Sequence, residues 1–235
     1  ANLPWQYLFY IVATAQRKKR WPIISIVPSL DWIKAAASQP PPEKCLYRCV
    51  SKAKDLEKAV AAFGKKYPYN REVTVRARSG ETSASQYILF GHGHPPTSIT
   101  PFATIIAPNL PFTIDDWINV SGFDAYILHA CSSAQVVPLF AGNDYGGAPG
   151  LLLALRGRVV LAPCVEIHPD AALTLQFEIF DQMERPRRTY ADAYRAAVKK
   201  DERCLFYTLF GLATLPLRVR LLRPPTRYRQ HRFPI

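Results

Sequence analysis

Cysteine is scarce in this sequence, and acid is outnumbered. Five cysteines are spread over 235 residues, an odd number with no CxxC spacing. That excludes a disulfide-stapled secreted scaffold and a zinc ribbon, and it fits a reducing, cytoplasmic compartment. No apolar run reaches the roughly 18 residues that a membrane-spanning helix needs. Leu8 to Ala15 is apolar, but its basic cluster follows it, the reverse of a signal peptide. No internal repeat is visible, which excludes a solenoid.

Acidic residues number 18 against 30 lysines and arginines, a net charge of +12. The excess gathers in Arg17-Lys18-Lys19-Arg20, in Arg185-Pro186-Arg187-Arg188, and in six arginines among the last eighteen residues. Such clusters suit nucleic acid, an anionic membrane or an acidic partner. Here they are dispersed and no recognition motif accompanies them. They read as solvated loops and a basic tail over residues 216–235, and nucleic-acid binding is not expected.

The chain is long enough to bury roughly 70% of its unfolded surface, so it needs no covalent staples. Strand-type and helix-type segments alternate along it. Trp21 to Val27, Cys45 to Val50, Ser85 to Phe90, Asp124 to Ala130, Arg158 to Cys164 and Leu205 to Leu212 read as strands. Glu72 to Arg78 alternates apolar and polar residues, as a strand near a sheet edge does. Lys54 to Lys66, Ile114 to Val120, Gly146 to Leu155, Pro169 to Met183 and Thr189 to Lys199 read as helices. This alternation predicts an α/β fold with a mostly parallel central sheet covered on both faces.

Two peptides carry the chemistry. Tyr87-Ile88-Leu89-Phe90-Gly91-His92-Gly93-His94 and Ala125-Tyr126-Ile127-Leu128-His129-Ala130-Cys131-Ser132-Ser133 are apolar runs that end in small residues. One delivers a histidine and the other a cysteine. On neighbouring parallel strands both would emerge at the same sheet edge, where open α/β folds place their sites. A thiol is a good nucleophile only as thiolate, and a histidine within reach takes its proton. The backbone N–H groups of Gly93 and Cys131 are the natural oxyanion donors.

Each residue also has a structural alternative. Cys131 has the profile of a small buried hydrophobe, and His92 that of a strand-end donor. His94 competes as the base, or pairs with His92 on a metal; the reading adopted here has no metal or cofactor. His129 reads as a core histidine with its hydrogen bonds made. Cys45, Cys49, Cys164 and Cys204 read as core.

These residues resemble the CHAT domain, a caspase-like peptidase module often attached to tetratricopeptide repeats, in the wider caspase, separase and metacaspase group. Leu3-Pro4-Trp5 resembles the family's opening Leu-Pro-Phe segment, and Val27-Pro28-Ser29-Leu30 its Pro-Ser-Leu marker. Gly91-His92-Gly93 matches the catalytic His-Gly. Ala130-Cys131-Ser132-Ser133 stands where relatives carry Ala-Cys-Glu-Thr or Gly-Cys-Ser-Ser. Phe206 to Gly211 resembles the closing aromatic-Gly strand. The departures are Ala134 for a usual glycine, Cys164-Val165-Glu166 for Leu-Trp-Pro, and His168-Pro169 where two acids usually follow.

The resemblance implies a caspase-like three-layer sandwich over residues 1–215 and a cysteine endopeptidase with a His92–Cys131 dyad. Its partners would be a protein or peptide substrate and an upstream repeat domain or regulator. Acids near the site, Asp144, Glu166 or Asp170, would select a basic side chain. The only methionine is Met183, and the chain opens where relatives already have a strand behind them, so a native N-terminal part is expected to be missing. The competing reading is a catalytically silent CHAT-like module for regulated protein contact.

Overall fold

A computed structural model describes residues 5–16, 22–39, 46–51, 57, 61, 84–102, 105–106, 112–138, 145–183, 185, 187–215 and 217. The expected edge strand Glu72–Arg78, almost all of the helix expected over Lys54–Lys66, and the tail from residue 218 onward lie outside the described residues.

The chain enters through helix α1 (Trp5–Ala15), strand β1 (Ser25–Ile26) and helix α2 (Leu30–Ser38). Strands β2 (Leu46–Ser51) and β3 (Ala84–Phe90) follow, then the short β4 (His92–Gly93) and β5 (Ile105–Ile106). Helix α3 (Ile114–Asn119) leads to β6 (Ala125–His129), a hairpin of β7 (Val137–Pro138) and β8 (Tyr145–Gly146), and helix α4 (Ala148–Ala154). The last elements are β9 (Val159–Pro163), α5 (Pro169–Met183), α6 (Tyr190–Lys200), a 3₁₀ turn over Glu202–Phe206 and β10 (Tyr207–Gly211).

Six strands form one sheet in the order β1-β10-β9-β6-β3-β2. β2, β3, β6 and β9 run parallel. β10 pairs antiparallel with β9, and β1 lies parallel to β10. The sheet is therefore mostly parallel, as the sequence predicts.

The alternation of side chains along the strands explains the two covered faces. Ile88, Phe90, Ile127, Val159 and Leu161 point into one cluster with Leu175, Ile179 and Phe180 of α5 and Tyr194 and Val198 of α6. Tyr87, Leu89, Tyr126, Leu128, Val160 and Ala162 point into the other, with Trp117 of α3 and Leu152 of α4. Every residue of β6 and β9 is buried, which is why both read as unbroken apolar runs. Each large apolar side chain so placed contributes about 1.5–3 kcal/mol.

Helix starts follow capping chemistry. Thr113 and Asp116 form a capping box on α3, and Thr189 and Asp192 form another on α6. Ser29 caps α2 by accepting from Trp32 N–H. That helix is absent from the sequence reading, although Ser29 and Asp31 carry its start signal. The expected strand Trp21–Val27 shrinks to Ser25–Ile26, and the last strand begins at Tyr207 because Leu205 belongs to the 3₁₀ turn.

The end of the sheet away from His92 and Cys131 is pinned by charge. Arg158 donates to both carboxylate oxygens of Asp124 at 2.9 and 2.5 Å, and Arg158 is 4% exposed. Gly211 closes this corner with φ +84°, and a Cβ there would collide with the Arg158 carbonyl. Among the described residues no helix is long and apolar enough to cross a membrane.

Candidate active site

Strands β3 and β6 are neighbours in register, with Phe90 opposite His129. Both therefore end at the same edge of the sheet. Gly91 N–H donates to the His129 carbonyl at 3.1 Å, holding the two strand ends together one residue beyond the ladder. His92 and Gly93 then pair with Ile106 and Ile105.

The decisive contact is between backbones. A Cβ on Gly93 would collide with the Cys131 carbonyl oxygen and would lie 2.8 Å from the Cys131 nitrogen. Only a glycine fits there without something shifting. The His92-Gly93 segment is thus laid directly against the Ala130–Cys131 peptide, with the His92 side chain exposed and Cys131 half-buried.

The Cys131 turn is sewn to the loop after β9. Ser132 N–H donates to Val165 O at 3.2 Å, Ala134 N–H to Pro163 O at 2.9 Å, and the Gln135 side chain to Cys164 O at 2.9 Å. Ser132 has φ 58°, the left-handed region that costs a non-glycine residue about 1–2 kcal/mol. These bonds hold that conformation and turn Cys131 out of the strand. Ala134 is buried.

Ile167 completes the surroundings of the sulfur. Its N–H points at Cys131 Sγ from 3.5 Å, and its carbonyl oxygen lies 4.0 Å from the same sulfur. Ile167 stands two residues before the first residue of α5, the end of a helix that favours negative charge. A backbone donor of this kind supports a sulfur that carries charge. No side-chain pattern announces it, so the sequence reading does not include it.

The other histidines divide clearly. His129 is 3% exposed, stacked on Phe90 with ring centroids 4.4 Å apart. Its Nδ1 lies 2.7 Å from Tyr207 Oη, and its Nε2 lies 3.0 Å from Gln176 Oε1. Burial lowers its pKa from 6.5 to about 4, against a smaller opposing effect of the Gln176 bond. It is a core histidine with both nitrogens engaged. His94 is half-buried, with Nδ1 3.0 Å from the Pro95 carbonyl.

Of the cysteines whose side chains are described, Cys164 and Cys204 are buried. Burial pushes the Cys164 thiol up and the Cys204 thiol up to about 12. Cys131 is the exception in exposure. Cys45 and the Cys49 side chain lie outside the described residues.

The three acids meet different surroundings. Glu166 is exposed and sits one residue before Ile167. Asp170 lies 3.3 Å from His168 Nδ1, so its carboxylate already has a partner. Arg203 also feels its charge. Asp144 lies outside the described residues. Among the described residues no group of three or more metal-ligating side chains gathers.

No family profile matches this sequence, and no curated protein matches it. Solved structures do. A chain of the separase–securin complex of Saccharomyces cerevisiae superposes with a TM-score of 0.59 at 14% identity, over 89% of this chain and 15% of that one. The Arg-specific cysteine proteinase gingipain R superposes with a TM-score of 0.51 at 13% identity, over 81% of this chain and 53% of that one.

The fold is caspase-like.

At these identities the likeness speaks for the fold alone. The chain spans about half of the gingipain chain and a small part of the separase chain. The caspase-like sheet brings His92-Gly93 and Cys131 to one edge, and the Val165–Ile167 loop lies against them.

Proposed function

We propose that this chain is a CHAT-type cysteine endopeptidase whose dyad is His92 and Cys131. The observation that carries the proposal is the packing of Gly93 against the Cys131 backbone. It brings a histidine-bearing segment to a half-buried thiol at the edge where this fold class places its chemistry.

In the proposed reaction His92 takes the Cys131 proton, and the thiolate adds to the scissile carbonyl carbon. The N–H groups of Gly93 and Cys131 hold the resulting oxyanion, each contributing on the order of 3 kcal/mol. The Ile167 N–H steadies the sulfur before attack. The imidazolium returns its proton to the departing amine, leaving a thioester on Cys131. Water, deprotonated by His92, then releases the acid product and restores the thiol.

Substrate choice falls to the loop beside Ile167. Glu166 is the best-supported selector of a basic side chain, because Asp170 already lies beside His168. A carboxylate there favours arginine, which it meets with two parallel hydrogen bonds. Asp144 remains the alternative selector from the loop after Cys131. The resemblance adds an expected upstream repeat domain or regulator, a cytoplasmic setting, and low activity in the isolated chain. The basic segment 216–235 is assigned to a tail outside the peptidase domain.

The test is cleavage of a peptide library by the wild type and by Cys131→Ala and His92→Ala. Cleavage by the wild type that both variants lose supports the proposal. Cleavage retained by Cys131→Ala overturns it. A wild type whose Cys131 takes up a peptide electrophile selectively, yet cleaves nothing, favours the silent protein-contact module.

A further inference from the structure

His129 sits where the two segments of the site diverge. Its backbone carbonyl accepts from Gly91 N–H, the residue before His92. Its ring stacks on Phe90, the residue before that. Cys131 follows two positions further along its own segment. The same ring reaches Tyr207 Oη of β10 and Gln176 Oε1 of α5. Tyr207 stands opposite Pro163, at the end of the strand that leads into the Ile167 loop, and α5 starts just after that loop. One imidazole thus ties β3, β6, β10 and α5 together at the end of the sheet where His92 and Cys131 lie.

The protons of this cluster have one arrangement. Burial holds His129 neutral, so one ring nitrogen carries hydrogen and the other accepts. Gln176 Oε1 can only accept, so Nε2 carries the hydrogen. Nδ1 then accepts, and Tyr207 donates to it. Burial above all, with the charges of Cys204 and Cys131 adding to it, holds the Tyr207 hydroxyl well above its usual pKa, so it keeps the proton it donates. The chain runs from Tyr207 to His129 to Gln176, and all three residues are buried. Gln176 Nε2 has no partner among the described residues. Apolar residues of the same shape would avoid that orphan at little or no cost. A polar chain with an orphan end is a poor way to build a core, and here it lies at the end of the sheet that carries the site.

We propose that His129, held by Tyr207 and Gln176, is a positioning residue that fixes the His92 segment against Cys131. The inference rests on the proposed dyad and adds the device that sets its geometry. Phe90 stacking and the Gly91 bond set where β3 ends. The two ring tethers set where β6 gives way to the Cys131 turn. An apolar side chain at position 129 would release both tethers and let β6 shift against α5 and the Ile167 loop. Gln86 supplies a contrast. It is equally buried and donates to Tyr190 Oη at 2.7 Å, but it lies four residues before Phe90, toward the other end of β3.

The test is the rate of Cys131 alkylation by iodoacetamide at neutral pH, with kcat and KM on a cleaved peptide as the second readout. The variants are His129→Leu, His129→Gln, Tyr207→Phe and, as a control, Gln86→Leu, with folding checked by circular dichroism. His129→Leu is expected to slow alkylation at least about tenfold, and to lower kcat by a similar factor with KM little changed, as misplacement of the reacting groups does. His129→Gln, which can accept from Tyr207 or donate to Gln176, should recover part of the loss. Tyr207→Phe deletes one hydroxyl and should act in the same direction; it decides the matter if His129→Leu does not fold. Gln86→Leu should lose stability and leave both rates unchanged. Unchanged rates in His129→Leu and Tyr207→Phe, with His92→Ala slow, keep the dyad and overturn this inference. Equal losses in His129→Leu and Gln86→Leu also overturn it, by making the cluster merely structural. A wild type that cleaves nothing, but whose Cys131 loses reactivity in His129→Leu and not in Gln86→Leu, counts against the peptidase reading and supports the positioning role.

Discussion

Gly93 lies against Cys131 so closely that a methyl group on its Cα would sit 2.8 Å from the Cys131 nitrogen. The contact joins two segments that come from different strands, and it leaves no slack between them. Gly93→Ala must therefore push the His92 segment away from Cys131. Misplacement of about 1 Å costs on the order of 10²-fold in rate. We expect Gly93→Ala to lower kcat/KM by at least that factor. The fold should persist, because Gly93 lies in the two-residue β4 and the clash is with the backbone of the Cys131 turn and not with a core side chain. Unchanged kinetics would mean that the contact does not set the catalytic geometry.

The thiols should differ in reactivity. Cys164 and Cys204 are buried and their thiols are pushed up, Cys204 to about 12. A peptide electrophile should label Cys131 first, as read by mass spectrometry of the digested protein. Equal labelling of Cys131 and Cys204 would contradict the assignment.

His129 gives a stability prediction with a definite sign. Burial holds it neutral, with a folded pKa of about 4 against about 6.5 in the unfolded chain. The unfolded chain takes up the proton first as pH falls. The contribution is complete above about pH 6.5 and drains away toward pH 4, on the order of 3 kcal/mol in all. His129→Gln should be less stable at neutral pH and should lose less on acidification. Urea unfolding at neutral pH and near pH 4.5 measures both. Parallel losses in wild type and variant would show that His129 is not the titrating group.

Specificity should follow Glu166. Glu166→Lys is expected to weaken cleavage after arginine at least about tenfold, and cleavage after neutral residues far less. Asp170→Lys should have the smaller effect, since Asp170 already faces His168. A library profile of both variants decides it. Efficient cleavage after aspartate by the wild type would discard the pocket while leaving the dyad untouched.

Much of this was legible in the sequence, for a physical reason. β6 and β9 are buried on both faces, so they read as apolar runs closed by small residues. α5 begins at Pro169 and ends at Met183, the span its proline and its periodicity give. Cys131 and His92, the proposed dyad, stand out in the sequence because each ends such a run. What stayed hidden was carried by backbone or by tertiary contact. The Ile167 N–H has no side-chain signature. The pairing of His168 with Asp170 depends on how the start of α5 is set. β1 shrank to two residues despite an apolar segment around it. α1 read only as an apolar stretch, because which side faces out is decided by what the rest of the chain offers to cover.

The central claim is that His92 activates Cys131. The most direct measurement is the rate at which Cys131 is alkylated by a small neutral electrophile at neutral pH, in the wild type and in His92→Ala. This readout needs no substrate. The account predicts alkylation at least about 10²-fold slower in His92→Ala, in line with what a positioned base contributes, with Cys204 unaffected. Equal rates in the two proteins would contradict it.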